Sequence, residues 1–262
     1  MERVKTRIFA GAVCEQYVYN RRSGAQGKSL PRPRFRDEDE RAAHRDGISR
    51  RRNARLINNS FGPTSYYSTL TFSAEWEVHT AADCRRERDA FYRRLRRRYP
   101  EAKIYIVYGQ GKHTARYHLH LITDGIPPEE IVQLWGRGDV ADCRALRRHN
   151  WYRGKDGILR DHGQDYTGLA NYLFGHWQPK FGGHRWKATK NCRLPEPEEP
   201  QEVKRKYTVN KPPRPPKGYV LTEARQTAYG YIYYKYVAIP EEGLGKDKQG
   251  RRGRPDDSLV NV

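Results

Sequence analysis

The sequence predicts an α+β protein with helices packed on one face of an antiparallel sheet and the other face open to a ligand. The predicted elements of the central region follow the order strand, helix, strand, strand, helix, strand, helix. Two consecutive strands are joined by a short glycine-containing turn that is typical of an antiparallel hairpin. Only 36% of the 262 residues are hydrophobic, which indicates one core domain of moderate size with basic, poorly packed extensions.

The first part of the chain, residues 1–60, is predicted to be a basic N-terminal segment. Residues 1–20 contain enough apolar side chains for a short strand. Residues 21–55 are rich in Arg, Asp, Gly and Ser, a composition that favours a solvated, mobile segment over a specific DNA-gripping arm. A short helix is predicted over Arg51–Asn59.

The core domain is predicted to span residues 61–195. Its strands are recognised by β-branched and aromatic side chains, and its helices by apolar residues that recur on one stripe, such as Phe91, Leu95 and Tyr99. The predicted elements are a strand at Tyr66–Phe72, a helix capped by Asp83 and ending near Tyr99, strands at Lys103–Gly109 and Arg116–Thr123, a helix from Pro127 to Trp135, an edge strand at Asp139–Ala145 and a helix at Gln164–Trp177.

The C-terminal part is predicted to contain a connector and two further strands within residues 196–242. A proline-rich stretch at Lys211–Lys217 is typical of a polyproline connector. The strands are predicted at Tyr219–Leu221 and Tyr229–Ile239. Residues 243–262 are highly charged and are predicted to be disordered.

The charge and the cysteines limit the classes of function. The sequence has 51 Lys and Arg against 31 Asp and Glu, a formal charge of +20 that attracts a polyanion. The four cysteines lack a C-x-x-C spacing, so neither a zinc ribbon nor a disulfide framework is expected. No apolar run approaches the ~20 residues of a membrane span, and the N-terminus has no signal-peptide core. We therefore expect a cytosolic protein without a membrane partner.

The candidate chemistry centres on the predicted strand Arg116–Thr123. Alternate residues of a strand face opposite sides, so His118 and His120 share one face while Tyr117, Leu119 and Leu121 face the buried layer. Two imidazoles about 7 Å apart along a rigid strand are placed to bind one metal ion. The alternative is coincidence, because nine histidines in 262 residues will often put two at alternate positions.

A third ligand and a nucleophile are also available in the sequence. Gln110, at the end of the preceding hairpin strand, offers a side-chain carbonyl to a metal ion, or it is simply a turn residue. Tyr166 and Tyr172 lie on one predicted helix, where six residues correspond to about 600° of rotation, so only one of them can face the metal. Tyr172 occupies the more apolar part of the helix, where it is either the nucleophile or an ordinary core residue.

These motifs together resemble the HUH endonuclease family. His118-Leu119-His120 looks like its His-hydrophobe-His motif, Ser68–Phe72 looks like its first motif, and Asn171-Tyr172-Leu173 looks like its tyrosine motif. More closely, the chain is similar to phage and plasmid rolling-circle replication initiators. That similarity covers about residues 50–195 and includes the Trp-plus-basic segment Arg185–Pro195.

The resemblance implies an HUH-like palm fold in which His118, His120 and Gln110 hold Mg²⁺ or Mn²⁺. It also implies that Tyr172 attacks a phosphate of single-stranded DNA at a replication origin and becomes linked to the 5′ end. The expected partners are that DNA and the helicase and polymerase of a bacterial host, in whose cytoplasm the protein would act. We assign DNA contacts to four basic residues: Lys112, Arg116, Arg185 and Lys187.

The chain departs from the family pattern at two positions. Glu is the more usual third ligand, whereas Gln110 is neutral, and a lysine often lies one turn after the tyrosine, whereas this chain has Gly175 and His176, with Lys180 farther on. Three alternatives remain open: a non-catalytic nucleic-acid-binding protein, a metal-dependent hydrolase that uses water in place of Tyr172, and a relaxase or transposase with the same chemistry.

Overall fold

The computed structural model describes residues 2–21, 36–76, 78–111, 114–153, 157, 159–175, 186–226 and 231–238. These residues form an α+β arrangement of antiparallel sheets and helices, as predicted. The elements are β1 (Glu2–Ala10), β2 (Val13–Arg21), α1 (Glu38–Ser60), β3 (Tyr66–Thr71), α2 (Ala81–Arg98), β4 (Lys103–Gln110), β5 (Tyr117–Asp124), α3 (Pro128–Trp135), β6 (Val140–Ala145), β7 (Trp151–Arg153), β8 (Leu159–Asp161), α4 (Thr167–Gly175), β9 (Trp186–Ala188), β10 (Gln201–Glu202), β11 (Tyr219–Gln226) and β12 (Ile232–Ala238).

The central sheet has the strand order β6-β3-β5-β4-β9, and all its neighbours are antiparallel. The predicted hairpin is confirmed as β4 and β5, and the predicted edge strand is confirmed as β6. The histidine strand β5 lies in the middle of this sheet, between β3 and β4. Both its edges are therefore paired, which holds its backbone in place.

One face of the central sheet is covered by α2 and α3. Phe91 and Leu95 of α2 and Trp135 of α3 are fully buried against Leu119 and Leu121 of β5. Burial of each such side chain contributes about 1.5–3 kcal/mol. The N-cap of α2 is Thr80 rather than the predicted Asp83; Asp83 is the third helical residue and completes a capping box with the Thr80 side chain and backbone.

The expectation of helices on one face only is wrong, because α1 and α4 pack on the opposite face. This face of the central sheet, which includes Tyr105, is buried against apolar residues of both helices: Leu56 and Ile57 of α1 and Leu173 of α4. The histidine side of the sheet is therefore partly covered by these two helices.

The N-terminal segment is more ordered than its composition indicates. The described part of the predicted mobile segment, from residue 36, belongs to the 23-residue helix α1. Asp37 caps this helix by accepting a hydrogen bond from the Glu40 amide at 2.7 Å, and three acidic residues occupy its first turn. The amino-acid composition did not predict the first part of this helix, because most of its surface is polar and only its last two turns are buried. Residues 22–35 lie outside the described residues.

A second five-stranded sheet joins the two ends of the chain in the order β10-β1-β2-β12-β11. Residues 1–20 therefore hold a hairpin of two nine-residue strands rather than one short strand. The two predicted C-terminal strands are confirmed as β11 and β12, and β12 pairs with β2. The core of this sheet is tyrosine-rich: Cys14, Val18, Ile232, Tyr234 and Tyr236.

A buried ion pair connects the second sheet to α1. The Arg55 guanidinium of α1 donates two hydrogen bonds to Glu15 Oε2 of β2, at 2.6 and 2.8 Å, and another to the Tyr17 hydroxyl at 2.7 Å. Glu15 is only 7% exposed. Removal of either partner would leave a desolvated charge without compensation.

None of the helices in the described ranges combines the length and apolar composition that a membrane crossing requires. The predicted C-terminal tail, 243–262, lies outside those ranges.

The turn between β1 and β2 generates a stability prediction. Gly11 has a φ of +55°, and a Cβ there would overlap the backbone carbonyl oxygen of Asn58 in α1. We expect Gly11→Ala to lower the free energy of unfolding by more than about 1 kcal/mol, measured by urea denaturation, because both the backbone conformation and the packing oppose a side chain. Gly62→Ala is the control, because nothing lies within 4 Å of its added Cβ. Equal effects of the two substitutions would contradict this account of the turn.

Candidate functional site

The two histidines of β5 converge on one point. His118 is half-buried and His120 is 2% exposed, and their Nε2 atoms lie 3.0 Å apart. Neighbouring ligands of an octahedral ion at about 2.1 Å are about 3.0 Å from each other. The separation of the two nitrogen atoms therefore fits a pair of ligands to one cation.

The other ring nitrogens have partners that orient both imidazoles. His118 Nδ1 lies 3.3 Å from the Arg116 carbonyl, which accepts a hydrogen bond when this nitrogen carries the proton. His120 Nδ1 lies 2.8 Å from the Tyr67 hydroxyl and 3.4 Å from Thr69 Oγ1. When Nδ1 donates in both rings, both Nε2 lone pairs face each other, and a cation or a shared proton between them removes their repulsion.

Tyr172 lies against this pair. Its ring packs edge-on against His120 with 5.6 Å between ring centroids, and the side chain is 49% exposed. Burial raises the pKa of Tyr67 well above its usual value, and a hydrogen bond to Tyr172 raises it further, although a hydrogen bond from Thr69 lowers it. Tyr67 therefore remains protonated at neutral pH. It accepts from Thr69 at 3.0 Å and has its own proton to donate to Tyr172.

The structure separates the two tyrosines that the sequence could not fully distinguish. Tyr166 precedes α4, is 3% exposed and donates its hydroxyl to the Arg147 carbonyl at 3.0 Å. Burial raises its pKa to about 12. Tyr166 therefore has a structural hydrogen bond, whereas Tyr172 is the tyrosine of α4 that contacts a histidine.

Gln110 is not brought to the histidines. In β4, Gln110 is the cross-strand partner of Tyr117, whereas Gly109 pairs with His118 and Val107 pairs with His120. Directly paired residues share a sheet face, so the Gln110 side chain starts from the face opposite the imidazoles. Its amide nitrogen donates to the Ala115 carbonyl at 2.8 Å, which closes the hairpin turn. The assignment of Gln110 as a third ligand is therefore wrong, and its role as a turn residue is the one observed.

Within the part of the chain that the structure describes, the histidine pair could supply two ligands to a metal ion. No group of three or more His, Cys, Asp or Glu residues there is arranged to hold a metal. The pair fits a hard divalent ion only if water and substrate oxygen atoms complete the coordination.

The four predicted DNA contacts do not form one cluster. Arg116 is exposed and lies two residues before His118. Lys187 of β9 is paired in register with Ile106 on the opposite face of the sheet, and it forms a 2.8 Å ion pair with Asp89 of α2. Lys187 is therefore committed to packing β9 on α2 rather than to the histidine face. Residues outside the described ranges include two predicted DNA contacts and two others from the tyrosine motif: Lys112, Arg185, His176 and Lys180.

A cleft of about 590 Å³ opens beside Tyr172, between β6 and α4. Tyr67, Thr69 and Tyr172 form one wall, and Asp142 and Arg144 of β6 line another. Asp142 pairs in register with Thr69, which pairs with His120, so all three start from the same sheet face. Sequence analysis assigned no role to this carboxylate, because its place on the histidine face depends on the pairing of β6 with β3.

A buried polar network fixes the start of α4. Asn58 of α1 accepts from the Tyr166 amide at 2.8 Å, and Asp165 Oδ1 accepts from the Thr167 amide at 3.0 Å. Lys235 of β12 forms a 2.5 Å ion pair with Asp165 and donates to Thr167 Oγ1 at 3.1 Å. The second sheet and α1 therefore determine where α4 begins, and hence where Tyr172 lies.

Comparisons of this chain with protein-family profiles, with curated proteins and with solved structures found no match.

The network at α4 generates a prediction. Lys235 is 8% exposed and Asp165 is 9% exposed, so Lys235→Met leaves a buried carboxylate without its cation. We expect the free energy of unfolding to fall by about 3–5 kcal/mol and the Thr167 amide to exchange faster with solvent. Arg41→Gln, which removes an exposed ion pair with Glu38, is the control and should cost less than about 1 kcal/mol. Unchanged exchange in a destabilised Lys235→Met protein would show that the pair does not fix α4.

Proposed function

We propose that this chain is a metal-dependent DNA endonuclease and strand transferase that nicks and rejoins single-stranded DNA at a replication origin. The reaction passes through a 5′-phosphotyrosine intermediate and starts rolling-circle replication. The observation that carries the proposal is the contact between Tyr172, which is half-exposed, and the convergent pair His118 and His120. A structural tyrosine would not need to be exposed at this position.

His118 and His120 are the residues that would hold Mg²⁺ or Mn²⁺, with water and a phosphate oxygen as the other ligands. The bound ion would neutralise charge on the scissile phosphate. The contacts of the two Nδ1 atoms support this assignment. The Arg116 carbonyl lies beside Nδ1 of His118 and the Tyr67 hydroxyl beside Nδ1 of His120, and these contacts direct both Nε2 atoms towards a common point.

The protein groups perform an in-line displacement. The Tyr172 hydroxyl loses its proton, and its oxygen forms a bond to phosphorus while the bond to the 3′ oxygen of the preceding nucleotide breaks and that oxygen gains a proton. The hydrogen bond with Tyr67 orients the attacking oxygen. The tyrosyl ester conserves the energy of the phosphodiester bond, so attack by a 3′ hydroxyl reverses the reaction and rejoins the strand without ATP.

The surroundings of the site support single-stranded DNA as the substrate. The formal charge of +20 favours a polyanion, and a five-stranded antiparallel sheet with the histidines on its central strand is compatible with an HUH-like palm. A helicase and a polymerase of a bacterial host, in its cytoplasm, are the partners that such a reaction requires.

The nucleophile assignment predicts the behaviour of two matched variants. Tyr172→Phe keeps the ring and its contact with His120, so the free energy of unfolding should change by less than about 1 kcal/mol while the covalent adduct with a labelled origin oligonucleotide is lost. Tyr166→Phe removes a buried hydrogen bond on the other side of the cleft and should still form the adduct. The measurement is a denaturing gel. Nicking by Tyr172→Phe without a protein-linked product would instead favour hydrolysis by water.

The metal assignment predicts that His118→Ala and His120→Ala abolish cleavage but leave most DNA binding, because binding depends mainly on Lys and Arg contacts to phosphate. Gln110→Ala is the matched control; it should cleave at close to the wild-type rate, since its side chain starts from the opposite sheet face. Cleavage rates and binding are measured with the same oligonucleotide at fixed metal concentration. Loss of cleavage in Gln110→Ala together with retention in His118→Ala would overturn the assignment.

A further inference from the structure

The exposed aromatic side chains of the described residues are concentrated beside the candidate site. Trp151 is 45% exposed, Tyr152 is 57% exposed and Tyr172 is 49% exposed, whereas every other Trp, Tyr and Phe in the described ranges is buried or half-buried. An exposed large aromatic side chain forgoes about 1.5–3 kcal/mol of burial. Three in one region of the surface indicate a binding surface rather than a packing requirement.

Trp151 and Tyr152 belong to the two-stranded ribbon formed by β7 and β8. Trp151 pairs with Asp161, and Tyr152 pairs with Arg160. Alternate residues face opposite sides, so one face of the ribbon carries Trp151 with Arg153, and the other carries Tyr152 with Arg160. A two-stranded ribbon has no core of its own. The Tyr152 ring packs against His162 with 5.4 Å between ring centroids, and more than half of its surface remains exposed to a ligand.

The ribbon is anchored at the cleft that contains Tyr172. Asn150, which immediately precedes Trp151, lines that cleft. Its amide nitrogen and its side chain both donate to the Gly163 carbonyl, at 3.0 and 2.6 Å, and its carbonyl accepts from the His162 amide at 2.8 Å. These three hydrogen bonds fix the base of the ribbon beside the cleft, and Trp151 and Tyr152 extend from that base on opposite faces of the ribbon.

The charge around the ribbon suits a phosphate backbone. Of the described acidic residues near the ribbon, Asp142 is paired with Arg144 at 3.2 Å and Asp161 lies 2.7 Å from His149. Four further arginines between β6 and β8 are exposed: Arg147, Arg148, Arg153 and Arg160.

We propose that the β7–β8 ribbon is a stacking platform that holds the bases of single-stranded DNA next to the nucleotide in the Tyr172 cleft. Trp151 and Tyr152 stack on bases, and the arginines neutralise the adjoining phosphates, a combination that binds single strands with little sequence preference. This inference rests on the proposed function for the identity of the strand, and it extends the site from the scissile phosphate to the flanking nucleotides.

The test measures the affinity of the full chain for a fluorescent single-stranded oligonucleotide over a range of salt concentrations. We expect Trp151→Ala and Tyr152→Ala each to weaken binding by about 5- to 150-fold without changing the slope of log K against log salt, because stacking releases no counterions. Arg153→Gln should instead reduce the magnitude of that slope by about 0.7 if it contacts one phosphate. Val132→Ala, an exposed apolar residue of α3, is the control and should bind like the wild type.

A second measurement covers the case in which an alanine variant does not fold. Single-stranded DNA should quench part of the tryptophan fluorescence of the wild type, and Trp151→Phe, which keeps an aromatic side chain at this exposed position, should lose most of that quenching. The platform is overturned if folded Trp151→Ala and Tyr152→Ala bind single-stranded DNA with wild-type affinity. It is also overturned if these variants lose as much affinity for blunt duplex DNA as for single-stranded DNA.

Failure of the platform and failure of the proposed function give different results. If the wild type forms the covalent adduct but its affinity does not depend on Trp151 or Tyr152, the platform fails and the nuclease assignment stands. If binding depends on these residues but no adduct forms, the platform stands and the nuclease assignment fails. Absence of any single-strand binding overturns both.

Discussion

The structure depends on the register of β5 within the central sheet. Burial of Leu119 and Leu121 against α2 and α3 fixes which face of this strand meets the core. A shift of one residue would place those leucines on the cleft side and the imidazoles of His118 and His120 in an apolar core, at a cost that no local rearrangement could offset. The same register decides which neighbours accompany the histidines: Thr69 from β3 is among them, and Gln110 is excluded.

The opposite face of the sheet determines access. Helices α1 and α4 bury the apolar part of that face and leave the cleft beside β6, where Tyr172 reaches His120. The position of α4 in turn depends on polar contacts from distant parts of the chain, since Asn58 and Lys235 both hold its first turn. The N-terminal strands and β12, joined in the second sheet, therefore support the site from outside the central sheet.

Much of the central domain could be predicted from sequence, because strand alternation and helix periodicity are local properties. The hairpin of β4 and β5, the edge strand β6 and the helix that carries Tyr172 follow from such patterns. Only the last part of α1, over Arg51–Asn59, was predicted, because the surface of its first part is polar; the signal that could have revealed its start is Asp37 with acidic residues in the following turn. The error at Gln110 had a different cause. The register of the hairpin decides whether Gln110 shares a sheet face with the histidines, and the amino-acid composition does not determine that register. Pairings between residues far apart in the chain, such as Lys235 with Asp165, leave no local signal.

The central claim is that Tyr172 is the group that becomes joined to DNA, and mass spectrometry of the trapped adduct tests it most directly. The wild-type protein is incubated with a single-stranded origin oligonucleotide and a divalent ion, the covalent product is isolated under denaturing conditions, and protease and nuclease digestion leaves a nucleotide remnant on one peptide. We expect the nucleotide remnant on Tyr172. A remnant on Tyr166 would contradict the assignment of the two tyrosines, and a remnant on any residue other than Tyr166 and Tyr172 would remove both tyrosines from the chemistry.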